Sequence, residues 1–270
     1  MSTHAIDTPL CTGSIIDHGA QVLEWAPRGH RPVLFLTQAG AEAQNTAIRG
    51  GIPVCFPWFG PGREPGAPFS HGFARTTTWR LVEEGGHEDR TVAYRLTSAE
   101  ASDDHWPYAY EAVLTARLGR ELAVSLRVTN RDERAFSYEA ALHTYLSVED
   151  VTQVHIEGLS GVRYVDKTDG GAVKEQHGDL AFKWETDSVF ETGGPVTVVD
   201  AAGGRRITVA SSGATRIIVW NPWREKAAGL ADLAPEEWKR FVCVEAGCVL
   251  DGAVWLEPGQ AHTLSTTIRV

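Results

Sequence analysis

Basic residues are in deficit: Lys and Arg together number 25 against 35 Asp and Glu, for a formal charge of -10. That balance excludes a general nucleic-acid binder, whose affinity comes from neutralising phosphates. It leaves room for a small anionic ligand, because a few local arginines outweigh a net charge that is screened within about 8 Å. No uninterrupted apolar stretch approaches the roughly 20 residues of a membrane span. The opening Met1-Ser2-Thr3-His4-Ala5-Ile6-Asp7 has neither the basic region nor the apolar core of a signal peptide. Cys11, Cys55, Cys243 and Cys248 show no C-x-x-C pairing and no histidine at zinc-finger spacing. Reduced thiols in a soluble, cytoplasmic protein with no membrane or nucleic-acid partner are therefore expected. Ready-made chemistry is missing as well. There is no G-x-S-x-G nucleophile elbow, no G-x-x-x-x-G-K-[ST] phosphate loop and no His-x-x-x-His metal pair, and Gly50-Gly51 lacks dinucleotide-binding spacing.

Helical signals are equally scarce. The best is Pro235-Glu236-Glu237-Trp238-Lys239-Arg240, with proline near the first helical position, acids in the first turn and bases in the last. It predicts one short helix or helical turn leading into a strand at Phe241. Alternation dominates elsewhere. Leu122 to Thr129 and Arg206 to Val209 alternate apolar and polar residues, and Thr215 to Trp220 is a buried-strand run ending at Asn221-Pro222. Val249 to Val270 predicts two strands divided by the turn Glu257-Pro258-Gly259. Many short strands with Gly and Pro turns indicate an all-β sandwich or barrel. The 270 residues carry no linker or composition shift, so a single domain over 1–270 is expected.

Two blocks stand out against this background. Arg49-Gly50-Gly51-Ile52-Pro53 runs on to Phe59-Gly60, and Ser70-His71-Gly72-Phe73-Ala74-Arg75 follows. Each sets a guanidinium among glycines in apolar, aromatic surroundings. Glycine permits close backbone approach, and arginine offers a planar fork for anionic oxygens. A pocket for a compact, phosphorylated ligand competes here with the plainer reading of turns pinned by ion pairs. Downstream, Glu245 interrupts the apolar run Phe241 to Gly247. A carboxylate there is paired, turned outward or functional, since an isolated buried charge costs several kcal/mol. Period-two reading of the stretch around His143 puts Glu139, Ala141, His143 and Tyr145 on one face. A satisfied sheet-face histidine is the plain alternative there. Trp58, Phe59, Trp220 and Trp223 are large enough to stack on a ligand ring but are more often core in such folds.

The run R-G-G-I-P-V-C-F-P-W-F-G followed by H-G-F-A-R resembles the glucose-6-phosphate 1-epimerases (hexose-6-phosphate mutarotases), a branch of the aldose 1-epimerase-like family. Similarity continues through Glu157 to Gly161, Trp220-Asn221-Pro222-Trp223 and Val242 to Gly247. The resemblance implies a large antiparallel β-sandwich of the galactose-mutarotase-like type. It further implies α/β anomer interconversion of a hexose 6-phosphate by acid–base ring opening and closure, with no cofactor and no metal. Glu245 is then the base on the anomeric hydroxyl and His143 the acid at the ring oxygen. His71 would hydrogen-bond the sugar, Arg49 and Arg75 would hold the phosphate, and Asp187 would bind sugar hydroxyls, an Asx turn being its plain alternative. Ser70 and Ser188 stand where the family commonly has Gln and Arg; both positions bear on substrate recognition, and Ser70 is kept as a binding position. A small phosphosugar is the expected partner and a monomer the expected state. A non-catalytic carbohydrate-binding module and an epimerase of unphosphorylated sugars are the competing readings.

Overall fold

Alternation in the sequence becomes long antiparallel strands. Leu122–Asn130 and Tyr110–Leu118 pair along their full length, each burying every second side chain over most of it. A computed structural model describes residues 1–38, 46–62 and 69–270, and it is nearly all-β, 49% strand and 8% helical. Two large antiparallel sheets dominate the described residues, joined by smaller two- and three-stranded pieces. One runs from Leu180–Ala181 through Val154–Glu157, Val196–Asp200, Arg205–Ser212, Ala261–Arg269, Leu122–Asn130 and Tyr110–Leu118 to Arg90–Thr97 and Arg80–Gly85. The other runs Ala172–Glu175, Arg163–Asp166, Thr186–Phe190, Arg216–Asn221, Phe241–Cys248, Ala140–Leu142, Val54–Cys55, with Tyr145–Ser147 also paired to Phe241–Cys248.

The two sheets pack with Phe241–Cys248 against Ala261–Arg269, enclosing an apolar core that includes Val242, Val244 and Ala246 on one side and Leu264 and Ile268 on the other. Every residue of Phe241–Cys248 is buried, because loops cover the face turned away from that core. On this second face Cys55, Ala141, Val189 and Ile218 join Phe59 and Val249 in a smaller apolar cluster. These short side chains make a floor on which polar groups stand.

The expected helical turn is present as the 3₁₀ segment Glu237–Arg240, feeding directly into Phe241–Cys248. The C-terminal pair forms as Val254–Leu256 and Ala261–Arg269 around the predicted turn. A short α-helix, Trp223–Ala227, was not evident in the sequence. It follows Pro222, and Asn221 Oδ1 accepts from the Trp223 N–H at 2.9 Å to start it.

Candidate active site

His143 and Glu245 meet because of sheet register. Leu142 lies opposite Ala246 and Tyr145 opposite Cys243, so the pairing offset is the same on both sides of the break at His143-Thr144. His143 therefore stands across from Glu245 on the site face. Its Nδ1 is 3.5 Å from Glu245 Oε1, with both side chains buried. The break itself is held by the His143 N–H donating to Pro53 O at 2.9 Å and the Tyr145 N–H donating to Gly51 O at 2.9 Å. Those acceptors belong to the first glycine block, which thus lies alongside the segment bearing His143 and Tyr145. Tyr145 stacks on His143 with ring centroids 4.8 Å apart, fixing the imidazole plane.

Charge is expensive at this depth. Burial pushes the Glu245 carboxyl well above the ordinary carboxylate range; Asp187 adds to the rise, while Lys167 and Arg75 oppose it. Burial also holds the His143 imidazolium well below its usual range, with His71, Arg75 and Arg49 adding to the effect. Neither group is easily charged alone, and at this separation the two titrate as a coupled pair. His143 Nδ1 and Glu245 Oε2 are buried without a hydrogen-bond partner, which leaves proton-accepting and proton-donating capacity for a ligand.

His71 occupies the left-handed region at φ 67°, an uncommon conformation for a non-glycine residue and a form of strain found at functional sites. Its N–H donates to Gly60 O at 2.7 Å, and its Nδ1 accepts from the Gly60 N–H at 3.2 Å. Burial, reinforced by Arg75, lowers its pKa to about 3. A neutral imidazole accepting at Nδ1 carries its proton on Nε2, so His71 is a fixed hydrogen-bond donor at neutral pH. Its ring centroid lies 5.8 Å from that of His143.

Arg49 reaches the site over the Trp220 ring, 5.8 Å from its centroid, and donates to the Tyr145 hydroxyl at 3.2 Å. Asp232 pairs with its Nε at 2.9 Å, and the Asp232 side chain is half exposed. Arg75 donates to Ser70 O at 2.7 Å and has no carboxylate partner among the described residues. Ser70 is exposed, so its contribution here is the backbone carbonyl that orients Arg75. Asp187 lies within the strand Thr186–Phe190, opposite Trp220, which overturns the Asx-turn alternative. Ser188 pairs opposite Val219, which puts it on the sheet face turned away from Asp187 and Glu245. Of the aromatics, Phe59 and Trp220 border the site, whereas Trp223 packs on Trp238 at 4.7 Å.

Sequence reading missed Lys167. It starts a turn after Arg163–Asp166 and reaches Asp187 Oδ2 at 3.1 Å, with its ammonium 5.2 Å from the Phe59 ring centroid. A lysine in a polar turn carries no sequence signal; only the pairing of Arg163–Asp166 with Thr186–Phe190 brings it in. It also missed what Glu139 does: its carboxylate accepts from the N–H groups of Phe59 at 3.1 Å and Leu250 at 2.7 Å, tying down the loop that carries Phe59. One cluster of metal-ligating types occurs among the described residues, His155, Glu157 and Asp179, their ligand atoms within 4.8 Å. It lies on the other sheet, and Glu157 is already neutralised by the two-pronged contact of Arg206 at 3.1 and 2.5 Å.

A buried carboxylate–imidazole pair on the loop-covered face of a β-sandwich, flanked by cations and aromatic rings, is suited to moving protons on a polar ring compound. The chain matches the aldose 1-epimerase family model over residues 3–269 and belongs to that family. It is accordingly an isomerase of sugar anomers. It is 33% identical over 272 residues to an Escherichia coli protein named "Putative glucose-6-phosphate 1-epimerase", covering 98% of this chain and 89% of that one. A Cenchrus ciliaris protein of the same name is 32% identical, with 93% of this chain and 78% of that one covered. Among solved structures, a "putative mutarotase (YeaD)" from Salmonella typhimurium superimposes with a TM-score of 0.91 at 28% identity, over 99% of this chain and 89% of that one. A galactose mutarotase-like protein from Lactobacillus casei shares the fold, with a TM-score of 0.76 at 17% identity over 99% of both chains.

Proposed function

We propose that the chain interconverts the α and β anomers of a hexose 6-phosphate, glucose 6-phosphate foremost. The observation that carries the chemistry is the cross-strand pair, His143 Nδ1 to Glu245 Oε1 at 3.5 Å, buried and with unsatisfied polar atoms. Anomer exchange needs one proton removed from the anomeric hydroxyl and one delivered to the ring oxygen. Glu245 takes the first and His143 gives the second, which requires the proton of the pair to stand on His143 and Glu245 to be ionised when the transfer begins. The ring opens to the aldehyde, C1 turns about its bond to C2, and closure on the other face reverses both transfers. The proton count of the pair is restored at each turnover. His71 donates from Nε2 to the sugar beside the ring oxygen, and Asp187 accepts from ring hydroxyls.

The phosphate falls to Arg49 and Arg75. Arg75 has no competing carboxylate among the described residues, and the Arg49 fork keeps Nη2 without a partner there. The names of the relatives point the same way. Free, buried Cys11, Cys55, Cys243 and Cys248 fit a reducing, cytoplasmic setting.

The test is anomer exchange, followed by NMR or polarimetry, on glucose 6-phosphate and on glucose. The phosphate is unchanged in the reaction, so its contacts act on ground and transition states alike. Arg49→Ala and Arg75→Ala should each raise KM for the 6-phosphate roughly ten- to a hundredfold, with kcat less affected and a much smaller change for glucose. Equal losses on both sugars would assign these arginines to loop structure and favour an epimerase of unphosphorylated aldoses.

A further inference from the structure

Lys167 and Asp187 form a donor–acceptor couple on the site face that acid–base chemistry and phosphate binding leave unused. Lys167 Nζ and Asp187 Oδ2 are 3.1 Å apart, and the ammonium lies 5.2 Å from the Phe59 ring centroid. Its backbone is not free to wander. The Asp166 carboxylate accepts from the Thr168 N–H at 2.9 Å and from Lys174 Nζ at 2.8 Å, and Gly170 closes the turn in the left-handed region. Asp187 makes no other polar contact among the described residues, so Oδ1 retains its lone pairs, and an ammonium with three donors has some to spare.

Strand order gives the couple its place. Across the sheet run Ala140–Leu142, Phe241–Cys248, Arg216–Asn221, Thr186–Phe190 and Arg163–Asp166. His143 thus stands on one side of Glu245, and Asp187 with Lys167 on the other. Around a pyranose ring the order is ring oxygen, anomeric hydroxyl, then the hydroxyls of C2 and C3. With the ring oxygen at His143 and the anomeric hydroxyl at Glu245, the next hydroxyls meet Asp187 and Lys167. The couple is neutral overall, and its carboxylate would repel a phosphate dianion at the same place. A pair of neighbouring hydroxyls suits it: one donates to Asp187 while the other accepts from Lys167.

We propose that Lys167 is a substrate-binding residue that, with Asp187, reads two adjacent ring hydroxyls beside the anomeric carbon and so sets which hexose is accepted. The placement rests on the acid–base reading above but not on the phosphate. The test measures anomer exchange by wild type, Lys167→Met and Lys167→Arg on glucose 6-phosphate and on its 2-deoxy and 3-deoxy analogues. Lys167→Met should raise KM for glucose 6-phosphate roughly tenfold with kcat within about threefold, and Lys167→Arg should restore most of the loss. On at least one deoxy analogue the difference between wild type and Lys167→Met should shrink below about twofold, since the contact is then already missing. A loss of the same size on all three sugars, no loss on any, or a loss confined to kcat would overturn the proposal. The same series run on the unphosphorylated sugars, which keep these hydroxyls, should give the same pattern; a Lys167→Met loss seen only with phosphate present would make Lys167 a phosphate ligand and overturn it too. Failure of the phosphate reading appears elsewhere, as equal kcat/KM of wild type on glucose and glucose 6-phosphate, and leaves this pattern intact.

Discussion

Glu245 is held in a place where a carboxylate is poorly tolerated, and in the proposed mechanism that is the source of its usefulness as a base. Glu245→Gln keeps the shape and removes the base, while His143→Asn removes the acid. Each should reduce anomer exchange by roughly 10²-fold or more, as read by NMR line shape or polarimetry. Glu245→Gln should unfold no earlier than wild type and gain up to about 0.5–2 kcal/mol in denaturant titration, because it removes an ionisable group from a buried site. The pH dependence of kcat/KM follows from the two displaced pKa values. His143 is lowered, so the doubly protonated pair gathers only below the ordinary histidine range; Glu245 is raised, so the fully deprotonated pair gathers only above the ordinary carboxylate range. The active, singly protonated pair should give a bell whose acid limb lies below the ordinary histidine value and whose basic limb lies above the ordinary carboxylate value. A single limb centred on the ordinary histidine value would contradict this coupling. His71 should contribute no limb near neutrality, as its pKa is lowered to about 3.

At the level of elements, the two glycine blocks act as rigid mounts. Gly51 has φ +58°, and a Cβ there would lie 2.1 Å from the Val22 carbonyl oxygen. Its own carbonyl accepts from the Tyr145 N–H, so displacing it moves the strand bearing Tyr145 and His143. Gly51→Ala should therefore lose at least about 2 kcal/mol in a urea titration, combining left-handed strain with a backbone clash. Gly60 has a similar φ of +61° but open space where its Cβ would go. Gly60→Ala should lose only about 1 kcal/mol, the conformational part alone. Equal losses at the two positions would mean that close approach is not what the first block provides.

Across the whole molecule, one apolar core draws residues from Ile6 to Ile268, so strands remote in sequence hold each other in place. Thermal unfolding followed by calorimetry should accordingly be a single transition with matching calorimetric and van't Hoff enthalpies. Cys11, Cys55, Cys243 and Cys248 are buried, and burial raises the pKa of each thiol. Thiols in that state are poor nucleophiles. A chromogenic disulfide reagent should leave all of them unmodified in the native protein and react with all of them in guanidinium. Fast reaction of any one would show that its strand opens locally.

The alternation of Leu122 to Thr129, the turn at Glu257-Pro258-Gly259 and the helical turn before Phe241 were legible because they depend on neighbours a few residues apart. So were the two arginine–glycine blocks and the carboxylate set in an apolar run, and the family resemblance named their partners. The sequence by itself determined an all-β chain with a histidine, a carboxylate in an apolar run and two cations. Only the tertiary structure decided which face each of them shares. The offset that sets His143 across from Glu245, the turn of Ser188 away from the site, the placing of Asp187 in a strand and the arrival of Lys167 beside it all come from sheet register. Register is fixed by burying one face of every strand at once, a condition on the whole sheet that no local window of sequence contains.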